Sequence, residues 1–166
     1  MLLQNPEFKS LLLLHSRDRR LKSLEDELQN LPTTLALLDK KILVEKESIA
    51  MANLELKTLE TSNSTLESEI VSIGDQISRQ KNKQLAVKKN EEYQALENEI
   101  SNLSSTLRLK EDEQIEALIK IDDARQTAKI AEEKISLKVA DLEIQRNDLL
   151  QREDEVKIAL FFVSYS

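Results

Sequence analysis

A seven-residue spacing of apolar side chains constrains the fold of this chain more than any other feature. Between Leu35 and Ile77, 13 positions follow one another at alternating intervals of three and four residues. Eleven of these 13 positions, over six heptads, are apolar. Only Glu45 and Asn63 interrupt the series. This spacing places the apolar side chains on one narrow helix face, here called the seam, and predicts a coiled coil.

The seam recurs less regularly in the second half of the chain. It resumes at Tyr93 and Leu96 and extends to Val156. In this half, the seam is predicted to be interrupted by five polar residues, namely Lys110, Gln114, Lys138, Gln145 and Arg152. Further apolar residues lie off the seam and predict a wider stripe that contacts another helix or chain, namely Ile115, Leu118, Ile130 and Ile144.

Composition excludes several classes of fold and function. One glycine cannot supply the turns of a multi-stranded sheet, and 33% charged with only 3% aromatic residues is typical of long helices. The net charge of −7 argues against general binding to nucleic acid or anionic lipid. No apolar run approaches the roughly 18 residues of a membrane span, so we expect a soluble, cytoplasmic chain.

A gap in the seam between Gln80 and Asn90 predicts that the chain folds back near residue 86. The predicted fold is all-α, a long antiparallel coiled-coil hairpin with a proline break in the first arm. A parallel dimer of one very long helix is the rival arrangement. The predicted segments are an N-terminal helix (1–32), an ascending coiled-coil helix (33–80), a basic hairpin tip (81–90) and a descending coiled-coil helix (91–166).

The two prolines mark predicted helix boundaries. Pro6 suits the first position of a helix, with Met1 to Asn5 as a frayed leader. Pro32 lacks an amide donor and disfavours helical geometry at Leu31, so the helix is predicted to stop or kink there. The residues that could cap a new helix start are Thr33 and Thr34.

A fold-back near residue 86 also predicts a register. It pairs Ile77 with Leu96 and places Asn63 opposite Lys110. Two polar interruptions would then share one layer, which fixes the register of a coiled coil at a cost in stability.

Positive charge concentrates at the predicted tip. A stretch of 12 residues contains five cations and no acid: Arg79, Lys81, Lys83, Lys88 and Lys89. This cluster is either a solvated turn or a docking point for an acidic protein surface or for RNA phosphates. The candidate partner-binding residues are Lys83, Lys88, Lys89, Asn90, Glu92, Tyr93 and Gln94.

Catalytic and metal-binding patterns do not occur in this sequence. His15 is the one histidine and there is no cysteine to share a metal with it. Carboxylates such as Asp122 and Asp123 are adjacent residues, whose side chains diverge on a helix. We therefore expect a chain that is not an enzyme and has no catalytic, cofactor or metal site of its own.

The segment Val87–Ile100, with the sequence VKKNEEYQALENEI, is the most distinctive in the chain. It resembles the signature of a bacterial family of coiled-coil hairpins that carry a C-terminal zinc ribbon with four cysteines. The stretch from Leu11 to Ile42 resembles the opening helix and proline break of that family. Tyr165 stands where the family often has a tyrosine just before its ribbon.

The resemblance implies an interaction protein of flagellar or type III secretion systems. Partners implied for the family are the alternative sigma factor sigma-54, a regulator of the secretion ATPase and messenger RNA. Zinc is expected only if a ribbon follows this chain, which itself contains no cysteine. The partners expected are thus proteins such as a secretion-apparatus component or a sigma factor. RNA and a homo-oligomer, or a purely structural rod, remain open alternatives.

Overall fold

Two long helices joined by a short connection make up the described part of the chain. The computed structural model describes residues 4–165, in which α1 spans Pro6–Ala86 and α2 spans Asn90–Tyr165. Residues 4–165 contain no strand. Side-chain contacts join the helices in antiparallel order, so the predicted all-α hairpin is confirmed. Met1 to Leu3, the first part of the predicted leader, lie outside the described residues.

The start of α1 follows from its sequence. The backbone amide of Glu7 donates to Asn5 Oδ1 at 3.1 Å, so Asn5 caps one of the free amides of the first turn. Pro6 follows as the first helical residue, where its missing N–H costs nothing. The predicted helix N-terminus at this Asn-Pro pair is confirmed.

Pro32 lies inside α1 and not between two helices. The helix runs from Pro6 to Ala86 through the proline, so the predicted 1–32 and 33–80 segments belong to one element. Thr34 caps no new start, because its hydroxyl donates back to the carbonyl oxygen of Asn30 at 3.3 Å. Leu31 is 5% exposed in the seam. Burial of that neighbouring side chain favours continued helix over the termination that the proline alone would favour.

Two compact units divide the chain. The terminal unit comprises Met1–Ser48 and Lys134–Ser166, and the tip unit comprises Ile49–Glu133. The core of the terminal unit contains Leu38, Ile42, Val139 and Leu142. Cross-helix ion pairs flank this core, namely Arg146 with Asp39, Lys138 with Glu45, Lys46 with Glu143 and Arg152 with Glu27.

The seam of α2 in the terminal unit differs from the predicted one. Val139 is buried, whereas the Lys138 side chain is 64% exposed and pairs with Glu45 at 2.6 Å. Two successive four-residue steps therefore separate Ala131, Ile135 and Val139. Beyond them, Leu142, Leu149 and Val156 lie in the seam as predicted, and each predicted polar position is replaced by the residue that follows it. Lys138, Gln145 and Arg152 are exposed and do not interrupt the core.

The register within the tip unit is shifted from the prediction. Lys110 Nζ lies 3.0 Å from Glu69 Oε2, and Arg125 pairs with Glu60 at 3.1 Å. Lys110 therefore lies opposite Glu69, and the predicted Asn63–Lys110 layer is wrong. Gln80 contacts Glu99 at 3.3 Å, where the predicted register would place residue 93, so both contacts lie six residues from the predicted ones, more than one and a half helical turns.

Candidate docking site at the hairpin tip

The connection between the helices is shorter than the predicted tip segment 81–90. The last backbone bond of α1 runs from the amide of Val87 to the carbonyl oxygen of Gln84, at 3.4 Å. Helix α2 begins with the bond from the Tyr93 amide to the carbonyl oxygen of Lys89, at 3.1 Å. Between α1 and α2 only Val87, Lys88 and Lys89 lie outside a helix, so the fold-back predicted near residue 86 is confirmed.

The five tip cations, defined as Arg79, Lys81, Lys83, Lys88 and Lys89, are all exposed. Three lie in the last turns of α1 and two in the connection. Among the residues that the structure describes, none of the five makes an ion pair. The tip therefore presents positive charge that no neighbouring carboxylate neutralises by direct contact.

Two carboxylates of α2 near the tip accept hydrogen bonds from glutamines of α1. Gln84 Nε2 donates to Glu97 Oε2 at 2.6 Å, and Gln80 Nε2 donates to Glu99 Oε1 at 3.3 Å. Both bonds run from α1 to α2 and hold the carboxylates at the helix–helix contact. Glu91 and Glu92 lie in the first turn of α2, where negative charge is favourable beside the helix N-terminus.

The structure brings the predicted partner-binding residues together on one exposed surface. Lys83, Lys88 and Lys89 are exposed, as are Asn90, Glu92, Tyr93 and Gln94. Tyr93 is 46% exposed, and its carbonyl oxygen accepts a 3.5 Å hydrogen bond from Gln84. Its ring is therefore not enclosed in the seam, where the heptad count placed it. Leu96 is the first half-buried residue of α2.

Chemically, this arrangement supplies lysine ammonium groups, amide side chains and one phenol ring. These groups fit a negatively charged partner surface better than a bound small molecule, because all of them are exposed rather than enclosed. Within residues 4–165, no group of three or more His, Cys, Asp or Glu side chains could hold a metal ion. No helix in the described range is long and apolar enough to cross a membrane.

Arg17 is an important residue whose role the sequence pattern did not predict. Its Nε and Nη2 donate to the carbonyl oxygen of Val163 at 3.2 and 2.6 Å. That carbonyl belongs to the last turn of α2, which contains no basic residue of its own. Arg17 therefore supplies the cation that a helix C-terminus favours, from the other helix. The only feature of the sequence that pointed to this role is that Arg17, a polar residue, occupies a seam position.

Comparison with known proteins supports the fold. No family model and no curated protein matches this sequence. Among solved structures, the chain is similar to CT398 from Chlamydia trachomatis, with a TM-score of 0.52 and 21% sequence identity. The alignment covers 91% of this chain and 70% of that chain. At this level of identity, the likeness shows a shared helical fold.

Proposed function

We propose that this protein is a non-enzymatic coiled-coil adaptor or chaperone-like protein that acts through protein–protein interaction. The observation that carries the proposal is the exposed, unpaired state of the five tip cations. Six other cations of the hairpin make cross-helix ion pairs with carboxylates, namely Lys46, Lys110, Arg125, Lys138, Arg146 and Arg152. The tip cations differ from the remaining cations in that all five lie within 79–90 with no acid among them. Charge left unpaired at one end favours attraction of an acidic partner surface.

We further propose that the partner belongs to a bacterial flagellar or type III secretion system in the cytoplasm. The sequence from Val87 to Ile100 supports this, because it resembles the signature of hairpins linked to those systems and to sigma-54. Similarity to a Chlamydia trachomatis structure supports the helical fold that such a role requires. The proposed contact residues are Lys83, Lys88, Lys89, Asn90, Glu92, Tyr93 and Gln94.

Charge reversal at the tip tests the docking site. The double variant Lys88→Glu/Lys89→Glu should slow association with purified sigma-54 or with the secretion-ATPase regulator from the same organism. We expect affinity to fall by at least about tenfold, because steering charges act mainly on the association rate. The matched control is Lys40→Glu/Lys41→Glu, which changes an adjacent exposed lysine pair of the terminal unit by the same charge.

Surface-immobilised binding kinetics would measure both double variants against the unchanged protein. Equal loss of binding in the two would indicate a general charge effect, and no loss in either would exclude the tip as the docking site. Tyr93→Leu provides a second probe at the same surface. It should preserve helicity and the melting temperature but weaken the complex by roughly tenfold, as expected for an aromatic contact residue.

RNA binding through the same surface is the second candidate function. The half-exposed ring of Tyr93 beside the lysines favours it, because RNA-binding surfaces stack bases on aromatic rings between basic residues. Salt separates the two candidates. If the five tip cations contact phosphates, affinity for single-stranded RNA should fall with a log–log salt slope of about −3.5. A flat salt response would exclude RNA as the ligand of the tip.

A further inference from the structure

The terminal unit contains an apolar groove that lysines help to line. We define this basic groove by Leu37, Lys40, Lys41, Val44 and Leu142, and its volume is about 500 Å³. Leu142 belongs to the buried core, whereas Leu37 and Val44 are 57% and 54% exposed. The four residues from α1 are spaced by three, four and seven residues, so they share one face of that helix. The groove therefore offers apolar surface and positive charge side by side.

The charge of the basic groove is opposite in sign to that of the whole chain. Lys40 and Lys41 are exposed, and neither makes an ion pair within the described residues. Lys138 also lines the groove, but its ammonium lies 2.6 Å from the carboxylate of Glu45. Three lysines and one glutamate give the lining a charge of +2, whereas the chain carries −7. An apolar surface with negative charge fits this groove, whereas a second basic groove would be repelled.

The tip unit exposes a surface of the complementary chemistry. We define the acidic stripe as Glu111, Ile115, Leu118, Ile119 and Asp122, which recur at intervals of three and four residues on one face of α2. Ile115 and Ile119 are each 58% exposed and Leu118 is 48% exposed, so α1 does not cover them. The sequence pattern predicted that Ile115 and Leu118 contact another helix or chain. The structure leaves these side chains free for such a contact.

Unpaired carboxylates surround the apolar residues of the acidic stripe. Six acids and one lysine lie between 111 and 123, which gives this stretch a net charge of −5. Of the six acids, Glu113 alone makes an ion pair within the described residues, with Lys110. The five others are exposed, namely Glu111, Asp112, Glu116, Asp122 and Asp123. The stripe thus combines exposed aliphatic side chains with negative charge that the hairpin itself does not neutralise.

We infer that the basic groove of one copy of this protein binds the acidic stripe of a second copy. In this contact, Ile115, Leu118 and Ile119 of one copy pack on the apolar groove residues of the other, and the groove lysines pair with carboxylates of the stripe. The apolar packing supplies binding energy. The charges select the pairing, because groove-to-groove and stripe-to-stripe contacts would bring like charges together.

The contact joins two different surfaces and is therefore heterologous. Each bound pair retains an unused groove and an unused stripe, so further copies can add and the assembly grows with concentration. Neither surface contains a tip cation. The inference therefore goes beyond the docking function proposed for the tip and does not depend on it.

Charge reversal followed by mixing tests this inference. In sedimentation velocity, the average mass of the unchanged protein should rise with concentration above that of one chain. Lys40→Glu/Lys41→Glu alone and Glu111→Lys/Asp122→Lys alone should each stay monomeric, because groove and stripe then carry the same sign. An equimolar mixture of the two variants should associate again, because each groove in the mixture has a stripe of opposite sign.

Three results would overturn the inference: an unchanged protein that stays monomeric at every concentration, a single variant that associates as the unchanged protein does, or a mixture that stays monomeric. The matched control is Lys88→Glu/Lys89→Glu, which changes the net charge by the same amount at the tip and should associate normally. Equal loss in this control would show a general charge effect and would also contradict the contact. Since binding at the tip is measured separately, either proposal can fail without the other.

The apolar part of the contact has its own test. Ile115→Ser/Leu118→Ser should keep the helicity of the protein but raise the dissociation constant for self-association by at least about tenfold, because two buried aliphatic groups are lost. Ile130→Ser/Ile144→Ser is the matched control, since these residues are 53% and 60% exposed and lie outside both surfaces. Equal weakening by the two double variants would show that the stripe is not the contact surface.

Discussion

A buried amide oxygen, that of Asn63, lies in the seam of the tip unit. Asn63 Oδ1 is buried and makes no hydrogen bond with any described residue. The heptad pattern identified Asn63 as a polar interruption, but the partner predicted for it, Lys110, pairs with Glu69 instead. A polar group buried in this way costs stability, which coiled coils tolerate where the residue specifies register or oligomeric state.

Replacing Asn63 with Ile should therefore raise the free energy of unfolding by about 1–3 kcal/mol, because an unsatisfied oxygen is exchanged for apolar packing. Urea unfolding followed by circular dichroism measures the change. Asn53→Ile is the control on the same helix, and should have little effect because Asn53 is exposed. A destabilised Asn63→Ile protein would show that the amide makes a favourable interaction in solution.

Glu27 makes the stability of the terminal unit depend on pH. Its two carboxylate oxygens accept hydrogen bonds from Arg152 at 2.6 and 2.9 Å, and these bonds, with the charge of Arg152, hold the pKa of Glu27 below its ordinary value of 4.5. A lowered folded-state pKa means that the unfolded chain binds the proton more tightly. The pair therefore stabilises the fold above pH 4.5, and this contribution is lost as pH falls through the lowered pKa.

Glu27→Gln tests this pH dependence. The variant should be less stable than the unchanged protein at neutral pH, and the two stabilities should converge as the solution is acidified below pH 4.5. Thermal unfolding across this range gives the comparison. Parallel curves would mean that the Arg152 pair contributes nothing to stability in solution.

At the scale of an element, the C-terminus of α2 depends on a residue of α1. The guanidinium of Arg17 donates to a carbonyl oxygen in the last turn of α2, that of Val163. We expect Arg17→Ala to destabilise the protein by about 1 kcal/mol and to increase amide hydrogen exchange in the last turn of α2. The exposed Arg19 provides the control, since Arg19→Ala should change neither measurement.

Individual helices also show where the sequence pattern was sufficient to predict the structure. Continuous apolar spacing predicted α1 from Leu35 to Ile77, and every seam position in this range is at least half-buried. The pattern failed near Lys138, because Val139 gains more by burial than a lysine does and the seam moves by one residue to include it. Of the two outcomes predicted at Pro32, a stop or a kink, the stop does not occur, since the packing of Leu31 and Leu38 outweighs one missing hydrogen bond.

For the whole molecule, the antiparallel hairpin was predictable but its register was not. The fold-back was placed near residue 86, whereas the connection is centred on Lys88. Moving the centre of a hairpin by two residues moves each pairing by twice as much, about one helical turn, which is most of the six residues that separate Glu69, the observed partner of Lys110, from Asn63. That error misplaced Asn63 relative to Lys110. The charge and exposure of the tip follow from composition alone, whereas the glutamine–glutamate bonds beside it depend on register and required the structure.

The side-chain pairs that join α1 to α2 in the tip unit also restrict how the lengths of these two helices can change. Deleting residues 64–70 from α1 preserves the heptad phase of that helix, and deleting residues 108–114 from α2 does the same for the other helix. Either deletion alone, however, leaves seven residues of the unchanged helix without a partner. The double deletion removes Glu67 and Glu69 together with their partners Gln114 and Lys110. We expect it to unfold in one cooperative transition, whereas each single deletion lowers the melting temperature further. Insertions and deletions in the gene should therefore be tolerated as matched heptads on both sides of the tip, so that two distant sites in the coding sequence are constrained to change together.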